Sequence, residues 1–170
     1  MTRAIRHGLA QARFETPLGP MTGLATERGL AGLWFDSQAH HPGPLHAPEN
    51  PRHPTLAATA RWLRSYWARA VPAAPPPEID FSGGTPFQQA VWAALRGIPP
   101  GATAPYAAIA QAAGSPAAVR AAGAAIGRNP VSLIVPCHRV LGRDGSLTGY
   151  AGGLQRKQAL LRLERAGSGA

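Results

Sequence analysis

The residue best placed for chemistry in this chain is its single cysteine, Cys137, within the sequence Pro-Cys-His-Arg-Val. A free cysteine is most often a small, inert, buried residue. Here His138 and Arg139 follow directly, and positive charge beside a thiol lowers its pKa and favours the nucleophilic thiolate. The glycine-rich stretch at residues 142–153 leaves room for a ligand to approach the backbone. The pattern therefore predicts a reactive thiol.

A single cysteine also narrows the class of protein. It excludes an internal disulfide and a zinc site built from several thiolates, and it suits a reducing compartment. No apolar run follows the first arginines as in a secretory signal, and no segment is apolar for long enough to span a bilayer. We therefore expect a cytoplasmic protein with no membrane partner.

The positive charge is concentrated in the second half of the chain. The net charge of +9 divides into +2 for residues 1–84 and +7 for residues 85–170. Such a basic half favours a polyanionic partner, and nucleic acid is the first candidate. An arginine-rich composition unrelated to binding would give the same charge, because a high pI does not show where the charges lie on the surface.

The first half of the chain has the pattern of a small antiparallel sheet. Short apolar runs at residues 12–15, 21–26 and 30–35 are separated by Gly and Pro, which is typical of a meander. An irregular His/Pro loop is expected at residues 40–54, a helix at 55–71 and a proline-rich linker at 72–77. Residues 79–81 could form one more strand.

The second half of the chain is predicted to be mostly helical. Thr85-Pro86 is a helix-start signal, and Phe87, Val91 and Leu95 then recur every four residues. Helices at 106–113 and from Ser115-Pro116 to about 126, joined by a tight turn, suggest a helix-turn-helix. On residue type alone, Arg120 in the second of these would be a phosphate contact. A buried, strand-like run at 131–135, a loop at 142–153 and a helix at 154–165 follow.

Several motifs in this half resemble the O6-alkylguanine-DNA alkyltransferase family. The match extends with consistent spacing over residues 79–164. It comprises Pro136-Cys137-His138-Arg139-Val140, Gly149-Tyr150-Ala151-Gly152-Gly153, Thr85-Pro86-Phe87-Gln88, Val91-Trp92, Ile98-Pro99, Gly101, Tyr106, Arg120-Ala121, Gly123 and Asn129-Pro130.

The resemblance implies an α+β fold in two domains and a DNA repair activity. Residues 1–78 would form a small antiparallel-sheet domain of RNase H-like type with a Pro-rich linker. Residues 79–170 would form the mostly helical domain with the helix-turn-helix. The implied partner is double-stranded DNA containing O6-alkylguanine, bound by a monomer without a cofactor. The alkyl group would pass to the cysteine by direct displacement and remain there, since a thioether has no easy leaving path.

The resemblance also assigns roles to particular residues. Cys137 would be the acceptor, His138 its water-mediated base, Glu164 the residue orienting His138, and Asn129 the residue fixing the turn behind the site. Tyr106 would contact the guanine and Arg120 would fill the gap left by the extruded base. The remaining residues expected to contact DNA or the base are Arg139, Val140, Tyr150 and Ala151.

The chain also departs from the family pattern, and other functions stay open. Ala104-Pro105 stands where a small polar residue is usual, and Ala151 where some members have serine. The cysteines of a structural zinc site are absent, so no metal is expected. The main alternative is an alkyltransferase-like, non-catalytic DNA-damage binding module, which would lack the acceptor cysteine. A Cys-His hydrolase and a helix-turn-helix regulator are further alternatives. Whether O4-alkylthymine is a substrate also stays open.

Overall fold

The computed structural model describes residues 8–167. The chain divides into two compact units, one ending at Gly83 and the other beginning at Gly84. The domain boundary expected between residues 78 and 79 stays a prediction. None of the described helices is both long and apolar enough to cross a membrane.

Within residues 8–83, the first unit is a three-stranded antiparallel sheet with one α-helix. Strands β1 (Ala10–Phe14), β2 (Met21–Thr26) and β3 (Gly29–Phe35) pair in sequence order, which confirms the predicted meander. Helix α1 (Pro54–Arg69) packs on this sheet. The side chains of Leu56, Trp62 and Tyr66 on α1 are buried, and the last two rings stack with centroids 5.1 Å apart. The core is therefore formed by one face of the helix and the apolar strands.

The segment at residues 79–81 does not extend this sheet, contrary to the sequence expectation. Ile79 makes only an isolated parallel bridge with Leu30, through hydrogen bonds from Leu30 N to Glu78 O and from Asp80 N to Leu30 O. The Asp80 side chain instead accepts from Thr26 Oγ1 at 2.6 Å and from Ser82 N at 2.9 Å. These side-chain bonds turn the chain away after a single bridge.

Residues 84–167 of the second unit contain four α-helices. Helix α2 (Pro86–Leu95) begins with a capping box, in which Thr85 accepts from Gln88 N and Gln88 accepts from Thr85 N. Helices α3 (Tyr106–Ala112) and α4 (Val119–Gly127) pack against α2 and against each other as the predicted helix-turn-helix. Helix α4 begins later than Ser115-Pro116 because residues 115–118 form a turn, closed by Ala118 N donating to Ser115 O. Helix α5 (Leu154–Gly167) ends the described chain.

A two-residue parallel pairing connects the helix-turn-helix to the cysteine segment. Strand β4 (Ala104–Pro105) pairs with β5 (Val140–Leu141), which directly follows a short 3₁₀ helix at Cys137–Arg139. Because β4 leads straight into α3, this pairing holds the start of α3 beside the end of the cysteine turn.

Residues 131–135 are buried as expected, but they do not form a strand. The chain makes a tight turn, with Val135 N donating to Val131 O at 3.0 Å and Leu133 at a φ of 70°. Positive φ is uncommon for a residue with a branched side chain and persists only where the surroundings impose it. Here the side chain of Asn129 bonds to backbone groups of the turn that a strand partner would otherwise satisfy.

Candidate active site

The Cys137 thiol lies at the start of the 3₁₀ helix, and the side-chain amide of Asn129 donates a hydrogen bond to it. Asn129 Nδ2 is 3.1 Å from Cys137 Sγ and donates to Val135 O at 2.8 Å. Its Oδ1 accepts from Val131 N at 3.0 Å. Both side chains are almost fully buried, with Cys137 5% and Asn129 3% exposed. One amide therefore fixes the turn and also presents a hydrogen-bond donor to the sulfur.

The electrostatics at Cys137 differ from the sequence expectation. Burial raises the pKa of the Cys137 thiol, and the hydrogen bond from Asn129 and the positive charge of Lys157 oppose this effect. The neighbouring residues His138 and Arg139 do not supply that charge, because both side chains are directed to Glu164. The resting state is thus a protonated thiol with groups beside it that stabilise the thiolate.

His138 and Glu164 form a fully buried pair, with Nε2 of the histidine 2.7 Å from Oε1 of the carboxylate. Hydrogen bonds from His138 and Arg139 hold the pKa of Glu164 at about 2, against the opposing effect of burial. Burial lowers the pKa of His138. Because the ionised carboxylate only accepts, the imidazole proton is on Nε2. The lone pair of Nδ1, which has no partner within residues 8–167, is left as the proton-accepting position.

Glu164 has a second partner in Arg139, which corrects the expectation that Arg139 contacts DNA. The Arg139 guanidinium donates to Glu164 Oε2 at 2.8 Å and to Oε1 at 2.9 Å. It also donates to Ile98 O at 2.5 Å, and the side chain is 7% exposed. Two parallel bonds to a carboxylate are the arrangement that a guanidinium favours, and they use its charge internally. Arg139 thus fixes Glu164 and the segment after α2.

Lys157 is a site residue that the sequence analysis missed. Its Nζ donates to Val140 O at 2.6 Å, Thr148 O at 2.6 Å and Gly149 O at 3.1 Å, and the residue is fully buried. Burial lowers the pKa of Lys157 to about 8. The signal was present in the spacing, since the buried face of α5 is Lys157, Leu160, Leu161 and Glu164, with a charged residue at each end.

Two tyrosines lie around the loop that Lys157 holds. Tyr106 donates its hydroxyl to Thr148 O at 3.1 Å, and its ring is the nearest neighbour of Gly123 on α4. The Tyr150 ring meets the His138 ring edge to face at 6.4 Å. Its hydroxyl is buried with no partner in the described part of the chain, and burial raises the pKa of Tyr150 well above the usual value. The structure therefore places Tyr150 against His138 and Tyr106 against the loop at residues 142–153.

Arg120 projects from the exposed side of α4, as expected. The opposite side is buried through Ala122, Ala125 and Ile126, and Trp92 Nε1 on α2 donates to Ala125 O at 2.9 Å. No group of three or more His, Cys, Asp or Glu side chains among residues 8–167 is arranged to hold a metal ion. The second unit thus combines an exposed arginine on the helix-turn-helix with a buried thiol.

Comparison with known proteins identifies the family. Residues 86–166 match the family model described as "6-O-methylguanine DNA methyltransferase, DNA binding domain". The methylated-DNA–protein-cysteine methyltransferase of Mycolicibacterium paratuberculosis is 42% identical over 154 residues, which is 89% of either chain. The chain belongs to this family. Another methylated-DNA–protein-cysteine methyltransferase, from Salmonella typhimurium, is 61% identical over 83 residues, which is 49% of this chain and 48% of the relative.

Solved structures support the same assignment across both units. The Mycobacterium tuberculosis OGT in complex with DNA has a TM-score of 0.82 and 39% identity, and it covers 93% of this chain and 94% of its own. The O6-methylguanine-DNA methyltransferase of Pyrococcus kodakaraensis, at 22% identity and a TM-score of 0.61, shows the shared fold. The α+β fold of the methyltransferase family therefore extends over both halves of the chain.

Proposed function

We propose that this protein repairs DNA by moving the alkyl group from O6 of guanine onto Cys137 Sγ, once per molecule. The observation that carries the proposal is the buried thiol with an amide donor at 3.1 Å, beside a neutral imidazole oriented by a carboxylate at 2.7 Å. This combination activates a nucleophile at neutral pH. The family membership supplies the substrate class, DNA that carries 6-O-methylguanine.

The thiol proton leaves through His138 in this mechanism. A water molecule between Sγ and Nδ1 passes the proton to the imidazole, and the resulting imidazolium is stabilised by Glu164. The thiolate attacks the alkyl carbon, the carbon–oxygen bond breaks, and its electron pair goes to O6 of guanine. The guanine takes up one proton from water, the His138 imidazolium returns its proton to water, and the sulfur becomes a thioether. Because no group in the site reverses this step, the protein is consumed.

Reaction at O6 requires the base to leave the duplex, which costs about a few kcal/mol. Arg120 on α4 enters the base stack from the minor groove and replaces the extruded base. Tyr106 exchanges its bond to Thr148 O for a bond to the guanine. The base edge is read by the carbonyls of Cys137 and Val140 and by the N–H groups of Tyr150 and Ala151. Lys157 already bonds to the Val140 carbonyl, so one lone pair is left for the base.

The remaining parts of the proposal concern the setting of the reaction. A free acceptor thiol has to stay reduced until it meets damaged DNA, which favours the cytoplasm. The protein acts as a monomer, since every residue in the mechanism comes from the unit beginning at Gly84. Residues 79–170 would form the DNA-binding and acceptor domain, and residues 1–78 the N-terminal domain.

Intact-mass analysis tests the proposed transfer. A duplex containing one O6-methylguanine should add one methyl group per protein molecule, located on Cys137 by peptide mapping. The Cys137→Ser variant should gain no mass and still bind the duplex. A methyl group on another residue, or DNA binding without any adduct, would remove Cys137 as the acceptor, and the second result would favour a damage-binding module. Several turnovers per molecule would favour a hydrolase instead.

A further inference from the structure

Helix α1 of the first unit carries positive charge with no acidic residue near it in sequence. Residues 50–77 contain four arginines, Arg52, Arg61, Arg64 and Arg69, and neither Asp nor Glu. The rest of residues 1–84 is different, since it holds six acids against four arginines. The positive charge on α1 is therefore local and does not follow from the average composition of the half.

Two of these arginines form a pair on the outer face of α1. Arg61 and Arg64 are three residues apart, which places them side by side one helical turn along the axis. Both side chains are exposed, and within residues 8–167 neither makes a hydrogen bond or ion pair. Like charges at this spacing destabilise a helix slightly. No acidic residue on α1 offsets that repulsion, so both guanidinium groups are available to an external anion.

A largely apolar groove runs beside Arg64. It has a volume of about 630 Å³, and Arg64 lines it together with Phe14, Leu63 and Trp67. Arg13 and Glu15 also line it, but they pair with each other at 3.2 Å, and Arg13 also binds Asp36 at 3.0 Å. The surface thus offers two unpaired guanidinium groups next to an aromatic-lined groove. Charged groups for phosphates beside apolar surface for sugars or bases are typical of contacts to a nucleic-acid strand.

We propose that Arg61 and Arg64 form a second DNA-contacting surface, on the first unit, which binds two backbone phosphates outside the reaction site. The occupant is DNA because the surface is complementary in charge to a polyanion and because the family acts on DNA. This inference rests on the DNA binding proposed above. The same residues contribute nothing to alkyl transfer, since every group of the mechanism lies in the unit beginning at Gly84.

The salt dependence of DNA binding tests this surface. Each phosphate neutralised in B-DNA contributes about 0.9 to the slope of log K against log salt concentration. The Arg61→Gln/Arg64→Gln variant should therefore bind an undamaged duplex of about 30 base pairs with a slope smaller by about 1.8. This change corresponds to about 60-fold weaker binding at 0.1 M salt, falling towards no difference near 1 M. Fluorescence anisotropy over a salt series measures both quantities.

Two control variants separate position from charge. Arg28→Gln/Arg69→Gln removes the same charge, in the turn before β3 and in the last turn of α1, and should leave the slope within about 0.5 of the unchanged protein. Arg61→Lys/Arg64→Lys keeps the charge and should retain most of the slope. An equal loss of slope in both Gln variants would show a general charge effect and overturn the proposal. An unchanged slope in Arg61→Gln/Arg64→Gln would also overturn it. If binding is weaker but the slope is unchanged, the two arginines contact protein and not phosphate.

Transfer from free O6-benzylguanine distinguishes this inference from the proposed function. All three arginine variants should react with the free base at the rate of the wild-type protein. If the unchanged protein reacts neither with the free base nor with the methylated duplex, the proposed function is wrong, while the salt slopes still report on α1. If only Arg61→Gln/Arg64→Gln loses the free-base reaction, the pair supports the fold of the acceptor site and the phosphate assignment is wrong.

Discussion

Replacing Glu164 by Gln removes the charge from a buried carboxylate and keeps its shape. The Arg139 guanidinium would then be buried with no anion, retaining only polar partners such as Ile98 O. Breaking a buried ion pair from one side costs about 3 to 5 kcal/mol. The pKa of Glu164 gives a similar figure, since lowering it from 4.5 to about 2 corresponds to about 3 kcal/mol of stabilisation. We therefore expect Glu164→Gln to lose about 3 to 5 kcal/mol at pH 7.

The lowered pKa of Glu164 also sets the pH dependence of this loss of stability. Because the pKa of Glu164 is lower in the folded protein than in the unfolded chain, its stabilisation is fully present above pH 4.5. It declines by about 1.4 kcal/mol per pH unit as the pH falls from 4.5 towards 2. The difference in unfolding free energy between the two proteins should thus be constant from pH 7 to 5 and shrink below that range.

Urea denaturation followed by circular dichroism measures these differences. With an m-value of about 2 kcal/mol/M, the midpoint for Glu164→Gln should fall by about 2 M. The matched control is Arg139→Met/Glu164→Gln, which removes both charges and should recover at least half of the loss. A loss under about 1 kcal/mol at pH 7, no recovery in the double variant, or a constant difference down to pH 3 would each refute the assignment.

Three further predictions concern single residues around the acceptor. Arg120→Ala should slow repair of duplex DNA by about 10- to 100-fold and leave the reaction with a free alkylguanine base unchanged, because only the duplex requires base extrusion; equal losses in the two transfer assays would contradict this role. Asn129→Ala should raise the pKa of Cys137, measured by the pH dependence of thiol alkylation. It should also destabilise the protein by about 2 to 6 kcal/mol in urea, because Val131 N and Val135 O lose a buried partner. Lys157→Met should raise the same thiol pKa, whereas Lys157→Arg, which keeps the charge, should not. Because the pKa of Lys157 falls from 10.5 to about 8 on folding, the unchanged protein should gain stability relative to Lys157→Met as the pH rises through that window.

Local signals in the sequence accounted for much of the fold. The meander follows from short apolar runs interrupted by Gly and Pro, and the start of α2 from Thr85-Pro86 with Gln88 completing the capping box. The buried position of residues 131–135 was also predictable from their apolar character. Their conformation was not, because it depends on hydrogen bonds from Asn129 that a β-branched run does not reveal.

The site was predictable where one residue type carries the chemistry and unpredictable where a partner decides the role. Cys137 stands out as the single thiol of the chain. Arg139 was expected to contact DNA, because the sequence around it does not show that Glu164, on α5, accepts its hydrogen bonds. Lys157 was overlooked for the same reason, since a lysine in a basic helix is usually solvated. Lys157 is buried here because the backbone carbonyls of Val140, Thr148 and Gly149 accept hydrogen bonds from its ammonium group.

Lys157 is also the only lysine in the sequence, since every other cationic side chain besides histidine is arginine. The folded chain therefore presents no exposed side-chain amine over residues 8–167. Acylating reagents and amine-directed crosslinkers would meet only the amino terminus unless the loop from Val140 to Gly149 detaches from Lys157. The rate at which Lys157 becomes acylated would thus report the opening of the acceptor site directly, at a single position and without any added label.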